Sequence, residues 1–142
     1  MDQISFQTKL VRANDGEVAG TGDTITSATI DMQGYDGVRA ICALGAITAT
    51  GVPTLRVQQG DHANGDDAAN ITGAVAVGDD TMSDKLLAID VWRPSHRYIT
   101  VTLGRATANI VLDDILLEFY TPRTAAVVKD ATVAVQTAVT AN

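Results

Sequence analysis

The spacing of apolar residues constrains this chain more than any other feature. Tyr98-Ile99-Thr100-Val101-Thr102-Leu103 sets Ile99, Val101 and Leu103 on one side and Tyr98, Thr100 and Thr102 on the other. That is the period of a pleated strand with one face buried. Thr54-Leu55-Arg56-Val57-Gln58-Gln59 alternates in the same way, and residues 24–31 are rich in β-branched side chains that suit a strand. Residues 38–47 form a nearly continuous run of small apolar types, which reads as a central strand covered on both faces. Residues 86–91 and 110–120 supply two more strands. A bulge near Asp113-Asp114 would keep the apolar residues inward on both sides of it. Gly, Pro, Asn and Asp separate these runs, and no segment carries a capped amphipathic helix. The expected fold is all-β: a single antiparallel β-sandwich, jelly-roll-like, with 142 residues sufficient for one core.

The two ends read differently from the middle. Residues 1–23 are polar and turn-rich, with at most one short strand around 4–11, and are expected to be an N-terminal arm. Residues 24–120 form the expected sandwich core. Within it, residues 60–84 read as an irregular stretch holding at most a short strand at 74–77 and one helical turn capped by Asp66. Residues 121–142 are mostly Ala, Val and Thr, with a weak period of two over 131–137. They are expected to be a C-terminal arm, extended or strand-like, that packs on a neighbouring copy.

Charge excludes some functions. Lys and Arg number 10 against 17 Asp and Glu, a net charge of −7, so a basic nucleic-acid-binding surface is not expected. Seven aspartates lie between Asp61 and Asp90 against Lys85 alone, whereas residues 91–112 hold Arg93, Arg97 and Arg105 without a carboxylate. Such a split favours copies that meet positive patch to negative patch. No stretch is apolar over the ~20 residues a membrane helix needs, and there is no basic then apolar leader at the N-terminus. The expected product is soluble and made in the cytoplasm.

Chemistry is sparse. Cys42 alone cannot form an intrachain disulfide and lies in an apolar run, so it reads as core. Ser95 and His96 are neighbours in sequence without an orienting acid nearby. No nucleophile elbow, phosphate loop or zinc-helix motif occurs, and no enzyme, cofactor or metal is expected. The Asp61–Asp67 loop lacks the alternating ligand spacing of a helix–loop–helix calcium site. Trp92, Arg93, Arg97, Tyr98 and Arg105 are the candidate interface residues, because Trp, Tyr and Arg anchor interfaces. The commoner role for such residues is simpler: Trp92 and Tyr98 plug one end of a core poor in aromatics.

Three segments carry a family resemblance. Residues 36–47 (Asp-Gly-Val-Arg-Ala-Ile-Cys-Ala-Leu-Gly-Ala-Ile), residues 53–61 (Pro-Thr-Leu-Arg-Val-Gln-Gln-Gly-Asp), and Trp92-Arg93-Pro94 followed by Arg97-Tyr98-Ile99-Thr100-Val101 together resemble the small decoration or cement proteins of tailed-bacteriophage heads. The likeness is one of pattern and order over residues 24–120. It implies a module on the outer capsid surface, bound to the major capsid protein and to copies of itself, often as a trimer, without nucleic acid or membrane. It brings no catalytic residues. Two other readings fit the same sequence: a tail-tube or head–tail joining subunit, or a carbohydrate- or calcium-binding module using Trp92, Tyr98 and the Asp61–Asp67 loop.

Overall fold

Ten strands among the described residues, all paired antiparallel, form two five-stranded sheets packed face to face. The computed structural model describes residues 3–124 and 127–140. The strands are β1 (Lys9–Asn14), β2 (Glu17–Gly20), β3 (Asp23–Thr26), β4 (Ile30–Asp31), β5 (Tyr35–Ile47), β6 (Val52–Gly60), β7 (Ala69–Val77), β8 (Leu86–Trp92), β9 (Tyr98–Ala106) and β10 (Ile110–Pro122). The first sheet runs β1-β10-β5-β8, with β2 also on β10. The second runs β3-β9-β6-β7, with β4 also on β9. No helix among the described residues is long and apolar enough to cross a membrane.

The core follows from the alternation. Ile99, Val101 and Leu103 of β9 face Leu87, Ile89 and Val91 of β8 and Ile115, Leu117 and Phe119 of β10 across the sandwich, and all are buried. In β10 the pairing with β5 shifts between Leu112 and Asp114. The bulge there turns both Leu112 and Ile115 inward. Burying these aliphatic side chains stabilises the fold by about 1.5–3 kcal/mol each. Cys42 is fully buried between them, and burial pushes its thiol up to about 12, with Asp113 adding to the shift.

Several expectations need correction. The segment read as an arm over residues 1–23 belongs to the sandwich from Lys9 onward: β1 and β2 both pair with β10, and Val11 and Ala13 are buried. Only two inward side chains mark β1, too few to stand out as a pattern. Residues 24–31 are two strands, not one. Ser27 interrupts them, because its buried hydroxyl takes the Val101 N–H at 2.9 Å, a bond the ladder would otherwise supply. Residues 60–84 are more regular than expected, since β7 spans nine residues, and Asp66 caps no helix. The register between β6 and β7 jumps at Arg56/Gln58, which hides the strand's period. The small apolar run of β5 is covered on one face only: Arg39 is exposed and Ile41 and Ala43 are half-buried. The core strand pairing at the other end runs to Pro122, two residues past the expected limit.

Candidate interaction surfaces

The candidate interface residues separate into three environments. Arg97 directly precedes β9 and Arg105 lies near its far end, and each grips an aspartate of a segment paired with that strand. Arg105 Nε and Nη2 donate to the Asp23 carboxylate at 2.7 and 2.6 Å. Its Nη1 donates to the carbonyls of Val18 and Ile110 at 2.7 and 3.2 Å. Those carbonyls belong to β2 and β10, so one guanidinium pins the first sheet to the second. Arg105 is only 7% exposed. Gly20 makes room for it, because a Cβ there would come within 2.6 Å of Nη2. Arg105 is therefore a brace inside this chain rather than part of an outer patch. The paired charges hold Asp23 below the usual carboxylate range and raise Arg105, in each case chiefly through their mutual hydrogen bonds.

Arg97 makes a similar fork with Asp31, at 2.9 and 2.6 Å, but on the surface. Its guanidinium also lies 5.2 Å from the Tyr98 ring centre. Asp31 is lowered and Arg97 raised, again first by their shared hydrogen bonds. The carboxylate-free stretch 91–112 thus finds its counter-ions 66 and 82 residues upstream. Two of its three arginines are neutralised within the chain, which weakens the patch-to-patch pairing read from the sequence. Arg93 remains, with φ +52° and its guanidinium 5.3 Å from the Trp92 ring centre.

Trp92 is 53% exposed and plugs nothing. It stacks on Tyr120 on the outward face of the first sheet, with centroids 6.0 Å apart and planes at 20°. Tyr98 lies on the second sheet, so the two aromatics do not form one site. Tyr120, Asp90, Arg39 and Glu118 share the outward face of the first sheet with Trp92 and are not among the candidates expected from the sequence. Their outward alternation along β10, β8 and β5 was the available signal. Among the described residues the fully buried aromatic is Phe119, against which Tyr35 packs at 5.7 Å.

The acidic loop folds on itself. Asp67 accepts from the backbone N–H groups of Asp61 and His62 at 2.7 and 3.1 Å, and these hold its carboxyl low. Asp66 accepts from Asn64 at 3.1 Å and pairs with His62 Nδ1 at 2.6 Å, which raises the His62 pKa and lowers that of Asp66. Ligand atoms of His62, Asp66 and Asp67 lie within 4.8 Å of one another, yet these oxygens already shape the loop. Asp61 pairs with His96 Nδ1 at 3.0 Å and Ser95 bonds Gln59, so Ser95 and His96 are each engaged elsewhere. Behind the loop, Thr29 and Thr100 share a hydroxyl hydrogen bond of 3.0 Å, and Thr100 and Thr102 are buried although they point away from the core.

Residues 127–140 form no strand. They lie against β1 and the N-terminal turn. Lys9 Nζ meets Asp130 at 3.3 Å, Arg12 N–H donates to the Thr132 hydroxyl at 2.9 Å, and Gln3 donates to the Thr140 hydroxyl at 3.1 Å. A turn at Asp130–Val133 reverses the segment. Val128, Val135 and Val139 remain 75–80% exposed.

No protein-family model and no curated protein matches this chain. Among solved structures it is similar to the PBSX exported protein XepA, with a TM-score of 0.57 and 12% identity. The match covers 92% of this chain and 43% of that one. The likeness is one of fold. The chain spans less than half the length of that relative. A second structure, of Bacillus endospore appendages that form a novel family of disulfide-linked pili, aligns at a TM-score of 0.46 and 17% identity, over 83% of this chain and 93% of that one.

Proposed function

We propose that this chain is a structural protein of a bacteriophage particle, a decoration or cement module that binds the outer surface of the capsid and stabilises the shell. Its partners in this reading are the major capsid protein and further copies of itself, as a trimer, without nucleic acid or membrane, and its role is non-enzymatic. The fold it shares with a phage exported protein over 92% of its length supports a phage setting. The observation that carries the reading is the C-terminal segment. Ala131-Thr132-Val133-Ala134-Val135-Gln136-Thr137 carries a weak period of two, yet it forms no ladder, and it leaves Val135 in water with Val133 only partly covered. Among the described residues its polar contacts with β1 are the Lys9–Asp130 ion pair and the Arg12 N–H bond to the Thr132 hydroxyl. A segment that covers the β1 edge with side-chain contacts and no ladder could exchange them for main-chain pairing with a neighbour. Repetition on a symmetric shell multiplies such weak contacts.

Mixing the purified protein with undecorated capsids and sedimenting the shells tests this. Saturable co-sedimentation that is lost on deleting residues 123–142 is expected. Shells that stay bare, with the protein forming tubes by itself, would favour a tail-tube or joining subunit instead.

A further inference from the structure

The outward face of the first sheet carries two adjacent rows that assembly through the tail does not use. In the first row Gly37 of β5 lies between Trp92 of β8 and Tyr120 of β10. A Cβ at Gly37 would overlap the Tyr120 ring, so the ring lies flat on the bare backbone and meets the indole nearly parallel. One step of two residues along the strands, about 6.7 Å away, the second row sets Arg39 between Asp90 and Glu118. Arg39 pairs with Glu118, and the Tyr120 hydroxyl donates to Asp90. Ile4 and Thr8 of the N-terminal turn wall a shallow groove of about 270 Å³ over Arg39, Asp90, Glu118 and Tyr120.

We propose that this face binds a neutral glycan, with a pyranose ring against the exposed part of Trp92 where it stacks on Tyr120, beside the Arg93 guanidinium that lies over the indole, and its hydroxyls on the Asp90–Arg39–Glu118 row. The charges select the ligand class. A cation drawn to the aromatic faces would meet Arg39 and Arg93, and an anion would meet Asp90 and Glu118. A neutral molecule with an apolar face and a rim of paired donors and acceptors suits both rows. Sugar C–H faces pack on aromatic rings. Vicinal hydroxyls donate to carboxylates and accept from a guanidinium, and bonds to charged groups are the stronger kind. The flat, preformed sheet lowers the cost of ordering the site on binding. This site differs from the one expected from the sequence, which joined Trp92 to Tyr98 and the acidic loop. It stands whether or not the chain decorates a capsid.

Trp92 is the single tryptophan of the chain, so its emission reports on this face alone. The full-length protein is titrated with neutral oligomers of glucose, galactose, mannose and N-acetylglucosamine, following emission and heat. At least one should give a saturable emission change with matching heat. Glu118→Gln and Trp92→Ala, the latter read by heat, should each weaken that binding about tenfold or more, with an unchanged circular dichroism spectrum. Trp92→Tyr should retain part of the affinity, and Arg56→Ala, on the other sheet, all of it. The proposal is overturned if no oligomer gives a saturable response up to millimolar concentration. It is equally overturned if Trp92→Ala and Glu118→Gln bind as the parent does, or if only charged saccharides bind.

Discussion

Arg97, just before β9, and Arg105, near its far end, have the same partner chemistry and opposite consequences. Each makes two hydrogen bonds to an aspartate on a short strand that pairs with β9. Arg97 does so in water. Arg105 does so under β2, where it also serves two backbone carbonyls of the opposite sheet. An exposed ion pair competes with solvent and salt and contributes little. A buried guanidinium that satisfies two sheets leaves uncompensated polar groups behind when it is removed. The difference lies in what covers the fork and not in the fork itself.

Arg105→Ala is the strongest test of that contrast. It should lower the unfolding free energy by about 1–3 kcal/mol, chiefly by orphaning the Val18 and Ile110 carbonyls, read from urea denaturation. Arg105→Lys should not restore it, because one ammonium cannot replace a planar fork that reaches a carboxylate and two carbonyls. A midpoint equal to the parent's would break the comparison. Gly20→Ala probes the same brace from its other side. The added methyl forces the guanidinium to shift, at a cost of about 1–3 kcal/mol, and the two substitutions together should lose less than the sum of their separate effects.

Acid titration compares the two forks directly. Asp23 and Asp31 both have folded-state pKa values below their unfolded ones. Their contribution is therefore complete above the ordinary carboxylate pKa of about 3.9 and fades as pH falls through the lowered values. Carbon-detected NMR of the two carboxyls should place both midpoints below the ordinary value, and Arg97→Ala should return Asp31 alone toward it. Arg97→Ala should leave the neutral-pH melting temperature within error. A clear drop would mean the exposed fork contributes more than its surroundings allow.

The smallest effect belongs to the acidic loop. The His62 imidazole should titrate above its ordinary pKa, and Asp66→Asn should lower it. The pair's contribution exists only while both are charged. It is lost as pH rises through the raised His62 value and as pH falls through the lowered Asp66 value. An unshifted His62 in the parent would remove the pair from the account of the loop.

Much of the sandwich was legible from residue period. Ile99, Val101 and Leu103, and Leu87, Ile89 and Val91, point inward as their alternation required, and the bulge at Asp113-Asp114 falls where two apolar registers had to be reconciled. The edge strands were not legible. β1 shows only Val11 and Ala13 to the core, and β7 breaks its own register, so neither presents enough periods to be read. Of the candidate interface, Trp92, Arg93, Arg97 and Tyr98 are on the surface, whereas Arg105 is inside, and nothing within residues 91–112 distinguishes it.

What the sequence determined by itself is the class of structure: two-period patterning with turn residues between can bury its apolar side chains only between sheets. Tertiary structure decided the partners. The counter-ions of Arg97 and Arg105, the glycine that seats Tyr120 beside Trp92, and the β1 edge beneath the tail all lie far away along the chain. Periodicity is a local property of a strand, which neighbouring residues reveal. Charge pairing and shared faces depend on strand order and register, which are set only when the sheets assemble.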